Sequence, residues 1–242
     1  MPVPLDLTRL HVVLVRTRNP LNIGAVARAM SNFGFSSLRV VKPYEASFQE
    51  ARSAVGASAL LANTNHYATV AQAVADCSLV VGATAARNRQ PQHSLKRLEE
   101  ASRIVQQQLA SGRVALLFGS EKTGLSNKEM SHCHWLLRIP TRENHGAMNL
   151  GQAVAVCLYE LIRENNIKPE PLTQLASAAQ LDRITASLSE ALRISGYFAP
   201  AAGTVAQQKI LRLVYRLKLS MEDAEVWLGI LRQILWKLRN PE

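Results

Sequence analysis

The sequence predicts an α/β protein: a mainly parallel sheet with helices on both faces, followed by a small helical extension. Three observations predict this. Short apolar runs rich in β-branched residues alternate with helical patterns up to residue 165. Residues 165–171, Asn-Asn-Ile-Lys-Pro-Glu-Pro, then break the composition in the manner of a linker. Beyond the break the periodicity is helical only. The chain therefore divides into an α/β domain over residues 1–165, a linker over 166–174 and a helical extension over 175–242.

Strands are expected at residues 11–15, 38–41, 79–81, 114–118 and 135–139. Helices are expected at 23–33, 50–55, 70–75, 95–108 and 127–131, and in the extension at 175–195, 204–217 and 221–238. Three of these units are strand, loop and helix in immediate succession. In the first, residues 11–15 (His-Val-Val-Leu-Val) stop at a polar loop containing Arg16, Arg18 and Asn19. The helix that follows carries Ile23, Val26, Ala27 and Met30 at helical spacing, with Asn22 placed to cap it and Gly34 to stop it. In the second, residues 114–118 end at Gly119, and a small-residue turn carries Glu121 and Gly124 to a helix capped by Ser126. In the third, Ile139-Pro140 closes a strand, and a loop with Asn144 and Gly146 reaches Asn149. Asn149 is the expected cap of a helix that keeps Leu150, Val154, Cys157, Leu158 and Leu161 on one face.

A strand, a loop of low bulk and a helix start expose backbone amides to a ligand. Gly119 and Gly124 permit close backbone approach. Any one such unit also occurs in α/β proteins that bind nothing there. No Gly-x-x-x-x-Gly-Lys and no Gly-x-Gly-x-x-Gly is present, so a classical nucleotide loop is unsupported.

The 242-residue chain has a net charge of +10, which favours a polyanionic partner without telling RNA from DNA or anionic lipid. Up to Asn165 there are 18 Lys and Arg against 11 Asp and Glu, and beyond it 10 against 7. The basic excess is thus not confined to the extension. Cys77, Cys133 and Cys157 are scattered, as suits a reducing compartment. His132-Cys133-His134 lacks a second cluster to complete a tetrahedral set, so no metal is expected. The amino terminus reads unlike a signal sequence and no apolar run approaches a membrane span, which makes the cytoplasm the expected compartment.

In order and spacing, the three units resemble the signature motifs of SPOUT-class RNA methyltransferases, in the TrmH-like branch of ribose 2′-O-methyltransferases. Asn22 and Arg28 in Asn-Ile-Gly-Ala-Val-Ala-Arg-Ala-Met match the first motif. Phe118 to Leu125 match the second, and Ile139-Pro140 through Met148-Asn149-Leu150 to Glu160 the third. Val80 to Arg87 is similar to the loop preceding the family's cofactor site. In the extension, Ser195-Gly196-Tyr197-Phe198, residues 209–214 and residues 228–234 are similar to the bacterial TrmJ family, whose members methylate the cytidine or uridine at the first position of the tRNA anticodon loop. The family usually has Ser where this chain has Ala147, and often Ser where it has Gly151.

The resemblance implies a trefoil knot near the third motif, S-adenosylmethionine as methyl donor, tRNA as substrate and a homodimer. It implies cofactor contacts at Ala83, Thr84, Ala85, Gly119, Ile139, Ala147, Met148 and Asn149, mostly through main-chain groups. Arg28 is the catalytic candidate, with Asn22 and Glu121 orienting it or the loops. A guanidinium holds its proton too tightly for a general base, so gripping the phosphate beside the target ribose and facing the developing alkoxide is the easier role. Arg16, Arg18, Lys209, Arg212 and Arg216 are candidate RNA contacts. Lys209, Arg212 and Arg216 recur at i, i+3, i+7, which is equally the pattern of a solvated helix face. A ribosomal-RNA methyltransferase of the same superfamily and a non-catalytic RNA-binding homologue are the alternatives.

Overall fold

The computed structural model describes residues 5–44, 46–47, 51, 58–85, 93–142, 148–163, 174–198 and 203–240. The strands are β1 (Leu10–Val15), β2 (Ser37–Val41), β3 (Asn65–Tyr67), β4 (Leu79–Ala83), β5 (Leu95–Arg97), β6 (Val114–Phe118) and β7 (Trp135–Arg138). The helices are α1 (Pro20–Asn32), α2 (Ser58–Ala62), α3 (Val70–Val74), α4 (Leu98–Ser111), α5 (Asn127–Met130), α6 (Leu150–Arg163), α7 (Ala178–Ile194), α8 (Gly203–Arg216) and α9 (Met221–Arg239). Among the described residues the strands form one parallel sheet in the order β3-β2-β1-β6-β4-β7-β5.

A parallel sheet is covered on both faces, which explains the unbroken apolar strands. All six residues of β1 are buried. Leu10, Val12 and Leu14 enter one core with α1, α4 and α6, while Val13 and Val15 enter the other with α3 and α5. The extension closes that second core: Leu181 and Ile184 of α7, Val214 and Tyr215 of α8, and Leu228 and Leu231 of α9 pack into it. Tyr215 is fully buried, its ring 5.0 Å from that of His134, and its hydroxyl donates to Asp182 at 3.0 Å.

Several boundaries depart from the expectations. The cap of α1 is Asn19, whose side chain accepts from the Leu21 amide, with Pro20 in the first turn; Asn22 is already inside the helix. The helix expected from residue 95 starts at Leu98, because residues 95–97 pair with β7 as an edge strand. β3 and α2 were not expected from the sequence. The helix expected over 50–55 lies, apart from Ala51, outside the described residues. Ser126 caps α5 in a reciprocal box with Glu129, and Gly34 ends α1 at φ +79°.

Candidate active site

β1, β6, β4 and β7 are consecutive in the sheet, so the loops leaving their carboxyl ends converge. These loops carry Arg16 to Asn19, Gly119 to Gly124, Thr84 and Ala85, and Ile139 onward. In open parallel sheets this end is where ligands bind.

Three side chains join the units into one hydrogen-bonded chain. Asn149 donates to the Asn22 side chain at 2.8 Å, and Asn22 donates in turn to Glu121 at 3.1 Å. Glu121 also accepts from the amides of Arg18 (3.4 Å) and Asn19 (3.3 Å), placing its carboxylate at the amino end of α1, where the helix dipole favours it. The Asn149 carbonyl oxygen accepts from Gly151 at 2.9 Å and caps α6. Asn22, Glu121 and Asn149, expected from separate motifs, are thus direct neighbours.

The Gly119–Gly124 turn is closed by a 2.8 Å bond from the Gly124 amide to the Ser120 carbonyl. A Cβ on Gly119 would lie 2.1 Å from the Gly124 carbonyl carbon. Gly119 is therefore required by the turn itself, whatever the turn binds. Gly124 adopts φ +64°, where a Cβ is strained.

Arg16 clamps this turn from β1. Its Nε donates to Glu129 at 2.6 Å, and its Nη2 donates to Glu129 at 2.9 Å and to the Gly124 carbonyl at 3.2 Å. Burial pushes the Glu129 carboxyl up, but the Arg16 hydrogen bonds and those from Ser126 outweigh it and hold the group below its ordinary value. Arg16 pays a backbone cost for this role, at φ +56°. Glu129 was not singled out from the sequence; the Ser-x-x-Glu spacing from Ser126 is the local signal that could have found it, but nothing there signals its pairing with Arg16.

Arg28 stands on the outer face of α1, exposed, with no hydrogen-bond or ion-pair partner among the described residues. On α1 and on α6, which packs against it, Leu21 (80% exposed), Val156 and Tyr159 are exposed apolar side chains. Beside the Glu121 turn, Arg18, Lys122, Pro20 and Ser120 line an open groove of about 620 Å³. Ala83, Ile139 and Met148 are half-buried and Ala85 is exposed; the Thr84 amide continues the β4–β7 ladder to the Leu137 carbonyl. Ala147 lies outside the described residues.

The basic residues of α8 are not brought to this site as one face. Lys209 and Arg216 are exposed, but Arg212 is only 9% exposed. Burial, reinforced by Arg212 and Arg216, lowers the His93 pKa to about 4. The three cysteine thiols are buried, which raises their pKa values, that of Cys157 to about 12, and leaves them poor nucleophiles. Among the described residues, His11, Asp76 and Cys77 approach one another at ligand spacing, but Arg39 holds Asp76 through two hydrogen bonds of 2.6 and 2.9 Å and occupies the place of a cation.

A model of the SpoU rRNA Methylase family matches residues 9–159, which contain all three loop units. The chain belongs to that family. Its relatives include TrmJ of Sodalis glossinidius, a tRNA (cytidine/uridine-2′-O-)-methyltransferase, 32% identical over 94% of this chain and 92% of the relative. TrmJ of Pseudomonas aeruginosa, a tRNA (cytidine/uridine/adenosine-2′-O-)-methyltransferase, is 33% identical over 94% of each chain. The crystal structure of TrmJ from Z. mobilis ZM4 superposes with a TM-score of 0.81 at 27% identity, covering 93% of this chain and 98% of that one. Gly151, where the resemblance often implies serine, has a local explanation: a Cβ there would lie 2.6 Å from the Ala25 Cβ, so α1 and α6 cross too closely for a side chain.

Proposed function

We propose that this protein is an S-adenosylmethionine-dependent tRNA ribose 2′-O-methyltransferase acting on the cytidine or uridine at the first position of the anticodon loop. The observation that carries the reading is the Asn149–Asn22–Glu121 chain, which closes three loop units at the carboxyl end of the sheet. The names of the TrmJ relatives supply the substrate and the nucleotide classes. The helical extension, docked on the second core, suits a tRNA substrate and acts as an aid to binding it.

The residues present fit the cofactor. Ala83, Ala85 and Gly119 carry little or no side chain at the carboxyl ends of β4 and β6, which leaves main-chain groups open to it. Main-chain groups of Ala83 to Ala85, Gly119, Ile139 and Ala147 to Asn149 would hold it. When bound, it supplies an electrophilic methyl group to the ribose hydroxyl. Arg28 grips the phosphate beside the target ribose and stabilises negative charge developing on the hydroxyl oxygen. Asn22 and Glu121 fix the start of α1 and so the direction from which Arg28 acts. Arg18, Lys209 and Arg216 contact RNA, while Arg16 serves the turn that it clamps. The exposed apolar side chains of α1 and α6, Leu21 and Tyr159 among them, suit a face covered by a second copy, so that Arg28 of one chain completes the site of the other. We place the protein in the cytoplasm, consistent with three free, buried cysteines.

Incubating the purified protein with methyl-labelled S-adenosylmethionine and either total tRNA or ribosomal RNA tests this. Label should enter tRNA only. Arg28→Ala should lose on the order of a hundredfold or more in rate, as for removal of a group that meets developing charge, with cofactor affinity by calorimetry unchanged. Label in ribosomal RNA alone would refute the substrate assignment.

A further inference from the structure

A cationic groove lies between α7 and α9, lined by none of the residues assigned to methyl transfer. The two helices run parallel, since Gln180 donates to Glu225 near their starts (3.1 Å) and Arg239 donates to Glu190 near their ends (2.7 Å). Leu181, Ile184, Leu228 and Leu231 dock them on the sheet, whereas Ala191 and Leu235 are buried outside that core. The groove, about 530 Å³, has an apolar lining that includes Leu228 and Leu235, and it carries Arg183, Arg232, Arg239 and Trp236. It shares no residue with the groove beside Glu121.

Arg239 is held by Glu190, and Arg183 and Arg232 have no hydrogen-bond or ion-pair partner among the described residues. Trp236 is 58% exposed. A cation in the last turn of a helix complements the helix dipole, which accounts for Arg239. It does not account for Arg183, early in α7, or for Arg232, in the middle of α9. Like charges gathered in one groove repel each other, and an exposed indole leaves apolar surface in water. A polyanion with flat aromatic faces relieves both. Single-stranded nucleic acid is bound by this combination of arginines on phosphates and an aromatic platform beneath a base. An acidic protein surface would satisfy the arginines and leave the indole unstacked.

We propose that the α7–α9 groove is an RNA-contact surface for a tRNA segment other than the methylated nucleotide, with phosphates on Arg183 and Arg232 and an unpaired base on Trp236. The inference rests on the tRNA reading above. It assigns the extension a contact separate from the basic residues of α8.

Binding of labelled tRNA to the full chain tests it. Arg183→Gln/Arg232→Gln should weaken tRNA binding at least roughly tenfold near physiological salt, and should lower the slope of log K against log salt by roughly 1.4 to 1.8 for two lost phosphate contacts. Arg103→Gln, a single-charge control on α4, should leave both nearly unchanged. Titration with tRNA should quench tryptophan fluorescence, and Trp236→Leu should remove most of that change. Calorimetric affinity for S-adenosylmethionine and methylation of an isolated anticodon stem-loop should be unaffected by the double substitution. Unchanged tRNA affinity and salt slope in that variant would overturn the proposal. An equal loss on the isolated stem-loop would also overturn it, by placing the groove at the methylated nucleotide. A wild-type protein that transfers no methyl group to any tRNA would instead refute the function on which the inference rests.

Discussion

At the scale of single residues, two arginines that the sequence offers to RNA have opposite fates. Arg28 is free on the surface of α1, while Arg16 is spent inside the protein on Glu129 and the Gly124 carbonyl. Before the fold is known, Arg28 reads as a helix residue of the first motif and Arg16 as a loop cation open to RNA, and only the partner 113 positions away reassigns Arg16. Arg16→Gln removes a charged partner from the largely buried Glu129 carboxylate. Such a loss costs about 1.5–3 kcal/mol for hydrogen bonds to charged groups. Denaturant unfolding should show that loss, and calorimetry should show weaker S-adenosylmethionine binding, because the Gly119–Gly124 turn loses its tether. If the variant lost only RNA affinity and kept both stability and cofactor affinity, Arg16 would be an RNA contact, as the sequence first suggested.

At the scale of elements, patterning located what burial enforces. The central strands β1, β4 and β6 were legible because both faces are covered and, His11 apart, their residues are apolar or glycine. The edge strands β3 (Asn-His-Tyr) and β5 (Leu-Lys-Arg) were not, because they are polar and defined by their neighbours' hydrogen bonds. The caps at Asn149 and Ser126 were legible as local chemistry, but the cap expected at Asn22 falls on Asn19, with Pro20 taking the first helical position. Of the site, the motif residues could be named, and their junction through Asn22 could not, since it joins positions 127 and 99 apart in sequence. Gly151 was visible only as a departure from a pattern; the α1–α6 crossing gives it a reason. Gly151→Ser should therefore destabilise the protein by about 1–3 kcal/mol, the usual cost of overpacking, despite restoring the family's residue. A thermal melt unchanged from wild type would show that the helices separate without cost.

At the scale of the whole molecule, the extension and the α/β domain share a core, and buried histidines line it. His134 accepts a hydrogen bond from the Val80 amide at 3.1 Å, faces Tyr215, and has its pKa lowered to about 4 chiefly by burial. A histidine with a depressed folded-state pKa is protonated more readily when unfolded, so stability rises with pH between about 4 and 6.5 and is lost as pH falls through that window. The shift corresponds to about 3 kcal/mol. Thermal unfolding followed from pH 7 to pH 4 should show the loss, and His134→Asn, which keeps an acceptor for Val80, should flatten it. Equal pH slopes in both proteins would assign the acid sensitivity to other groups, such as His11, whose pKa burial also lowers to about 4.

The central claim is that the three joined loops deliver a methyl group to one ribose oxygen of tRNA. It is tested most directly with two tRNA transcripts that differ only at the first nucleotide of the anticodon loop, one carrying the ribose 2′-hydroxyl and one carrying 2′-deoxyribose. The account predicts one methyl group per molecule of the first, mapped to that nucleotide, and none on the second. Equal methylation of the deoxy transcript, or methyl groups mapped to a base, would contradict it.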